Sequence, residues 1–214
     1  MKIRTIEDLT DRLSNEIAWR KRELSDLKYY VELSISDSTR RQSLARCGVA
    51  ILYAHWEGFV KLSSRYFLEF ISMQRHTNNE LKQNFLTMSM RANTNMHGKS
   101  RKTSEFAKVT SFFEDKSTER AIIPYKLAID TESNLSSSVF KEIAWCLGID
   151  YSLYETREKF IDVTLLTRRN HIAHGEVTSV DASEYDEMRQ SVIAMMELIK
   201  SQLENSALTK AYLK

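Results

Sequence analysis

Proline occurs once in 214 residues and glycine five times, against average usage of about 5% and 7%. So few turn formers exclude a β-sandwich or barrel, whose hairpins place Gly, Asn or Pro at each reversal. Cysteine occurs twice, too rarely for a disulfide framework. Cys47 and Cys146 each sit in an apolar run and read as small buried thiols of a reducing compartment. No hydrophobic run is long: the most apolar stretch, Gly48 to Tyr53, is soon broken by His55, Glu57 and Lys61, far short of the roughly 20 residues a membrane helix needs. No basic segment leading into an apolar one marks a signal peptide at the N-terminus. The expectation is a soluble, cytoplasmic chain without a membrane partner. Neither charge is in excess, since 31 Lys and Arg stand against 29 Asp and Glu, so any basic surface comes from local patches. A Gly-rich phosphate loop and a Gly-x-Ser-x-Gly elbow are both absent, which removes most support for nucleotide kinases and serine hydrolases; Ser136, Ser137 and Ser138 need no nucleophile reading.

What is present is a helical pattern. Apolar residues make up 42% of the chain and aromatics 10%, enough to rule out disorder. Ile6, Leu9, Leu13, Ile17, Leu24, Leu27 and Val31 recur three and four apart, with Arg20 interrupting, behind a Thr5 cap; this spacing predicts a long amphipathic helix. After a polar stretch from Ser34 to Ser38, with Asp37 or Ser38 as cap, a second helix runs to about Ile71. Val49, Leu52, Trp56, Phe59, Val60, Leu62, Phe67 and Phe70 occupy more than one of its stripes, as in a helix packed on several sides. The aromatics Trp56, Phe59, Tyr66, Phe67 and Phe70 read as core rather than as a platform for stacking bases, whereas Trp19, Tyr29 and Tyr30 on the first helix are candidates to face a partner chain.

The character changes from His76, with short helical fragments around Glu80 to Met90, a polar run from Asn93 to Ser100, a helix near Glu105 to Asp115, and weak extended character around Pro124, from Ala121 to Ile129. Arg91, Lys99, Arg101, Lys102 and Lys108 crowd there against Glu105, forming the clearest basic cluster in the chain and a candidate RNA contact, though most basic loops are simply solvated. Helical order resumes behind Asn134, Leu135 and Ser136, with Val139, Ile143, Cys146 and Leu147 as the apolar face and Gly148 as the C-terminal cap. A third core helix spans about Tyr154 to His174 and closes at Gly175. A last helix follows from Glu184 to about Leu203. The whole reads as one all-α domain, residues 1–214, with a core of about 5–75 and 134–205 and a partly helical basic insertion of about 76–133.

The segment Leu165 to Gly175 differs from an ordinary helix end. On an α-helical wheel of about 100° per residue starting at Ile161, the apolar arc through Ile172, Leu165, Ala173 and Leu166 spans about 20° to 140°, and Arg169 falls at about 80°. A guanidinium inside an apolar arc is costly unless paired or facing a partner, and Asp162, at about 100° on the same wheel, is the nearest structural candidate. Asn170 and His174 stand four apart on one side of the helix, and His174 occupies the carbonyl end before Gly175. Histidine is the side chain suited to exchanging a proton near neutrality, and arginine offers a fixed charge and a forked donor set that matches a phosphate. The combination points to phosphodiester chemistry without a metal. With 16 Arg and 5 His, the spacing alone arises by chance about once. Arg91 and His97, followed by Gly98, are such a decoy, because Asn93, Thr94 and Asn95 disfavour a continuous helix. A metal site made from His171, His174, His55 and Glu57 has little support, because no Glu-x-x-His pair and no thiolate cluster accompanies the histidines; no metal or cofactor is assigned. His171 reads as solvent-facing. Glu57 reads either as the group that orients Arg169 or as an ion pair that only fixes helix register.

Arg169, Asn170 and His174 resemble the signature of the HEPN superfamily, an Arg and a His separated by four to six residues of which the first is polar. Tyr53, Ala54, His55, Trp56, Glu57, Gly58, Phe59 and Val60 resemble the core helix of its bacterial RiboL-PSP and MAE branches. Asn134, Leu135 and Ser136 ahead of Leu147, Gly148, Ile149 and Asp150 resemble a further segment of them. The likeness spans about Leu44 to Leu198 and is weakest over the basic insertion. It implies an antiparallel helical bundle that dimerises so that the motif helices of two chains line one cleft, with Arg169, Asn170 and His174 as site residues. It also implies metal-independent endoribonuclease activity that uses the RNA 2′-hydroxyl, and a setting in toxin-antitoxin pairs or anti-phage defence with an antitoxin or other defence protein as partner. Some members have lost catalysis and bind RNA, nucleotides or proteins instead. A symmetric partner also answers a geometric difficulty: Arg169 and His174 lie about 140° apart around an α-helix, so one chain offers them poorly to a single phosphate.

Overall fold

Long amphipathic stripes can bury their apolar faces only against one another, and the computed structural model shows how they do so. It describes residues 2–35, 38–94, 103–132 and 134–214. Helix α1 (Ile6–Leu33) begins at Thr5 in a capping box, with the Thr5 hydroxyl accepting from the Asp8 amide and the Asp8 carboxylate accepting from the Thr5 amide, two otherwise orphaned donors satisfied together. Helix α2 (Thr39–Gln74) starts at Ser38, and the short connection makes it antiparallel to α1. Helix α7 (Ala182–Leu208) is capped by Asp181 and completes the central bundle. Its register follows from cross-helix pairs. Lys28 and Lys21 of α1 meet Asp186 and Glu197 of α7, so those two helices run antiparallel. Leu13, Ile17, Leu24, Leu52, Trp56, Phe59, Val192 and Met196 fill the space between the three.

Gly48 of α2 allows this close approach. A Cβ there would lie 2.5 Å from Cε2 of Tyr185, a buried ring on α7 with no slack. Gly48→Ala therefore sets a gain in helix propensity of about 1 kcal/mol against an overpacking cost of about 1–3 kcal/mol. The expected result is a net loss of about 1 kcal/mol, read as a lower midpoint in urea with unchanged slope. A variant as stable as the parent would show that the ring moves aside freely.

Around the bundle lie α3 (Gln83–Thr94), α4 (Thr103–Asp115), α5 (Ser137–Leu147) and α6 (Arg168–Ala173). Ser136 caps α5, and Gly148 ends it at φ 68°. The segment before α6 is a 3₁₀ turn over Tyr151–Arg157 followed by a π-helical stretch over Phe160–Thr167. No strand forms among the described residues; there are only isolated bridges pairing Thr77 with Arg120 and Leu81 with Leu213. The region read as an insertion is tied to the core, since Leu81, Phe85 and Met88 are buried in the main cluster and the Asn84 amide donates to the Cys146 carbonyl.

Several expectations change. The helix foreseen from Tyr154 to His174 is three segments of different pitch, not one α-helix. In place of short fragments from Glu80 to Met90, a turn and bridge lead into a single helix that starts at Gln83 and continues through Asn93, whose side-chain amide donates back to the Ser89 carbonyl while its oxygen accepts from Lys116. The weakly extended stretch around Pro124 is a turn, with the amides of Leu127 and Ala128 donating to the Pro124 carbonyl. Cys47 is exposed, because it faces away from the stripe of Ala45, Gly48, Val49 and Leu52. Cys146 is half-buried, and burial pushes its thiol up to about 11. Asp37, one of the two cap candidates for α2, lies outside the described residues.

Candidate functional site

The π-helical stretch decides where Arg169 goes. Each π turn uses an extra residue, so the residues after it rotate away from their places on an α-helical wheel. Ala173, foreseen in the apolar arc, is exposed, and Arg169 is half-buried. Asp162 is not its partner. That carboxylate accepts from the amide and the hydroxyl of Ser137 at 2.7 and 2.6 Å, which stabilises the positive end of α5.

Arg169 instead turns toward α2. Its Cζ lies 4.2 Å from the centre of the Tyr53 ring, close enough for a cation–π contact. Its Nη2 is 3.9 Å from Glu57 Oε2, and its Nη1 donates to Asn170 Oδ1 at 2.8 Å. The supports are themselves held. The Thr131 hydroxyl donates to Glu57 Oε1 at 2.8 Å, and the Leu135 amide donates to the Tyr53 hydroxyl oxygen at 2.6 Å. Burial raises the Tyr53 hydroxyl above its ordinary value, and the Glu57 carboxylate adds to the effect. A guanidinium gripped on its face, its edge and its flank is fixed in direction yet remains 25% exposed at the side chain, so it is available to an anion.

His174 is the C-terminal cap of α6 and is exposed, as the adjoining Gly175 is at φ 78°. The turn is closed by backbone bonds, from the His174 amide to the Asn170 carbonyl and from the Glu176 amide to the His171 carbonyl, both 2.9 Å. The His171 ring is exposed and lies 3.7 Å from Glu176. Asn170 is half-buried. Thus Arg169, Asn170 and Glu57 are brought together, while His174 stands on the same short helix with its ring toward solvent. His55 faces the other way, buried with its Nε2 2.8 Å from Glu23 of α1, so His55 and Glu57 lie on opposite sides of α2.

In the basic region, Arg91 on α3 and Lys108 on α4 are exposed, whereas Lys99, Arg101 and Lys102 lie outside the described residues. Tyr53, Thr131 and Arg46 belong to the site surroundings without having been singled out for them. Arg46, Tyr53 and Glu57 fall within about 40° on one stripe of α2, a spacing that carried the signal.

A family profile described as RiboL-PSP-HEPN matches residues 15–205. No curated protein and no solved structure matches. The match takes in α2, α6 and most of α7, and with the all-helical fold it establishes that the chain belongs to the RiboL-PSP-HEPN family.

Proposed function

We propose that the protein is a metal-independent endoribonuclease that acts as a homodimer in the cytoplasm, as the toxin or effector of a toxin-antitoxin or anti-phage system. The observation that carries the reading is the directed, half-exposed Arg169 on the short helix that His174 closes, in a chain of a family whose members are often ribonucleases. In this reading Arg169 binds the scissile phosphate and stabilises the charge that grows in the transition state. Asn170 and Glu57 position Arg169. His174 exchanges the proton. The RNA 2′-oxygen loses its proton and bonds to phosphorus, the bond from phosphorus to the 5′-oxygen breaks, and that oxygen takes up a proton as it leaves. The products are a 2′,3′-cyclic phosphate and a 5′-hydroxyl. A two-fold partner supplies a second copy of the motif to the same cleft, which answers the outward direction of His174 relative to Arg169.

The test is incubation of purified dimer, freed of any bound partner, with generic RNA in EDTA. Cleavage to cyclic phosphate ends is the expected outcome. Binding of RNA without cleavage would replace the enzyme by a catalytically silent RNA-binding module, and full activity in a monodisperse monomer would remove the dimer from the mechanism.

A further inference from the structure

Arg46 lies on the α2 stripe that carries Tyr53 and Glu57, and its surroundings differ from those of Arg169. Its Nη2 donates to the backbone carbonyl of Glu176 at 2.9 Å, bridging 130 positions of sequence to reach the turn directly after His174. Its Nε is buried and has no hydrogen-bond partner. No carboxylate among the described residues forms an ion pair with it. A half-buried guanidinium with only a neutral carbonyl for company retains a charge that the protein does not balance, an arrangement that costs stability unless an anion completes it. Arg168 and Arg169 of the same region each have a glutamate, Glu184 and Glu57, whereas Arg46 has none among the described residues.

We infer that Arg46 binds a backbone phosphate of the RNA next to the scissile one, on the His174 side of the cleft. This inference rests on the ribonuclease reading and extends its substrate path. Distance supports a flanking phosphate: Arg46 and Tyr53 are seven residues apart, about 10 Å along the helix axis, so Arg46 and Arg169 serve different phosphates. The Glu176 carbonyl sets the direction of the guanidinium, and its Nη1 donors, which are neither paired among the described residues nor buried, are left for a phosphate oxygen.

The experiment measures binding of a 2′-O-methyl oligoribonucleotide, which lacks the nucleophile and stays intact, across a series of NaCl concentrations. Loss of one phosphate contact to single-stranded RNA lowers the slope of log K against log salt by about 0.7. Arg46→Gln, which keeps a donor for the Glu176 carbonyl, is expected to bind more weakly with the slope reduced by about that amount for each Arg46 engaged. Arg46→Lys is expected to keep the slope and lose part of the affinity, since it retains the charge without the fork. An unchanged slope in Arg46→Gln, whether or not its thermal midpoint falls, would overturn the inference while leaving the ribonuclease reading intact, because a purely structural role moves stability and not counterion release. Parent protein that neither binds this RNA nor cleaves its 2′-hydroxyl counterpart would bring down both.

Discussion

Replacing His174 by alanine is expected to lower the rate of RNA cleavage in EDTA by about 1,000-fold while leaving thermal stability nearly untouched. The rate follows from the role: a side chain that exchanges the proton in the transition state contributes about 100-fold to 10,000-fold, and 1,000-fold corresponds to about 4 kcal/mol of barrier. The stability follows from the position. The His174 ring is exposed, and what holds the helix end is backbone bonding of residues 174, 175 and 176 together with the left-handed Gly175, none of which the substitution removes. Exposed substitutions of this kind stay within about 0.5 kcal/mol. Arg169→Gln is a less clean probe, because it strips Glu57 of its cation and Tyr53 of its stacking partner and so mixes folding with chemistry. The double variant is expected to cut no more slowly than the worse single one, since groups acting on one transition state are not additive. The matching measurement is single-turnover cleavage with the thermal midpoint recorded on the same samples. His174→Ala that cleaves at the parental rate would remove the histidine from the mechanism.

That the site was partly legible in the sequence, and partly not, has a physical cause in each case. Local signals survive folding: the three-and-four spacing of α1, the Thr5 cap and the glycines at 148 and 175 depend on neighbouring residues, and each lies where the pattern places it. The pitch of Phe160–Thr167 does not show, because Phe160, Ile161, Val163, Leu165 and Leu166 are spread around the helix and fit a π-helix as well as an α-helix. With the pitch wrong, Asp162 looked like the partner of Arg169, although it serves α5. Glu57 could be suspected because a carboxylate beside Trp56 on a many-sided core helix needs a cation. Arg46 shares the stripe of Tyr53 and Glu57, but its bond to Glu176 leaves no trace in the sequence, since the partner is a main-chain carbonyl far away in sequence and a carbonyl leaves no mark on side-chain composition. The exposure of Cys47 escapes the sequence for a related reason: an apolar run on a helix packed on several sides still leaves one face to solvent.

The largest effect on stability is expected where Arg20 interrupts the apolar stripe of α1. Arg20 is 3% exposed, and its Nη1 engages both the Glu16 carboxylate and, at 2.9 Å, the Glu16 carbonyl. Its Cζ lies 4.3 Å from the centre of the Trp19 ring, and its Nε has no partner. Glu16 is the hub of this cluster, also accepting from Trp19 Nε1 at 3.1 Å and from the Tyr66 hydroxyl at 3.0 Å. Burial alone would raise its carboxyl, but the hydrogen bonds from Arg20, Trp19 and Tyr66 and the Arg20 charge together hold it below the usual carboxylate value. Glu16→Ala leaves the guanidinium buried with a backbone carbonyl and two aromatic faces, those of Trp19 and of Phe59, whose ring centre is 5.8 Å from Cζ, and breaking a buried pair from one side costs about 3–5 kcal/mol. Because those contacts remain, the lower end applies, about 3 kcal/mol, or a fall in midpoint of about 6–12 °C for a chain of this size. Glu16→Ala combined with Arg20→Met removes the stranded charge and should recover most of that loss, since an apolar replacement of both partners is often neutral or better. Acid tests the same cluster. A carboxyl held below its unfolded value contributes stability that is present above that value and drains away as pH falls through the folded one. The parent should therefore lose stability in acid more steeply than the double variant. Equal acid sensitivity in the two, or a double variant no more stable than Glu16→Ala, would show that the buried arginine does not depend on this carboxylate.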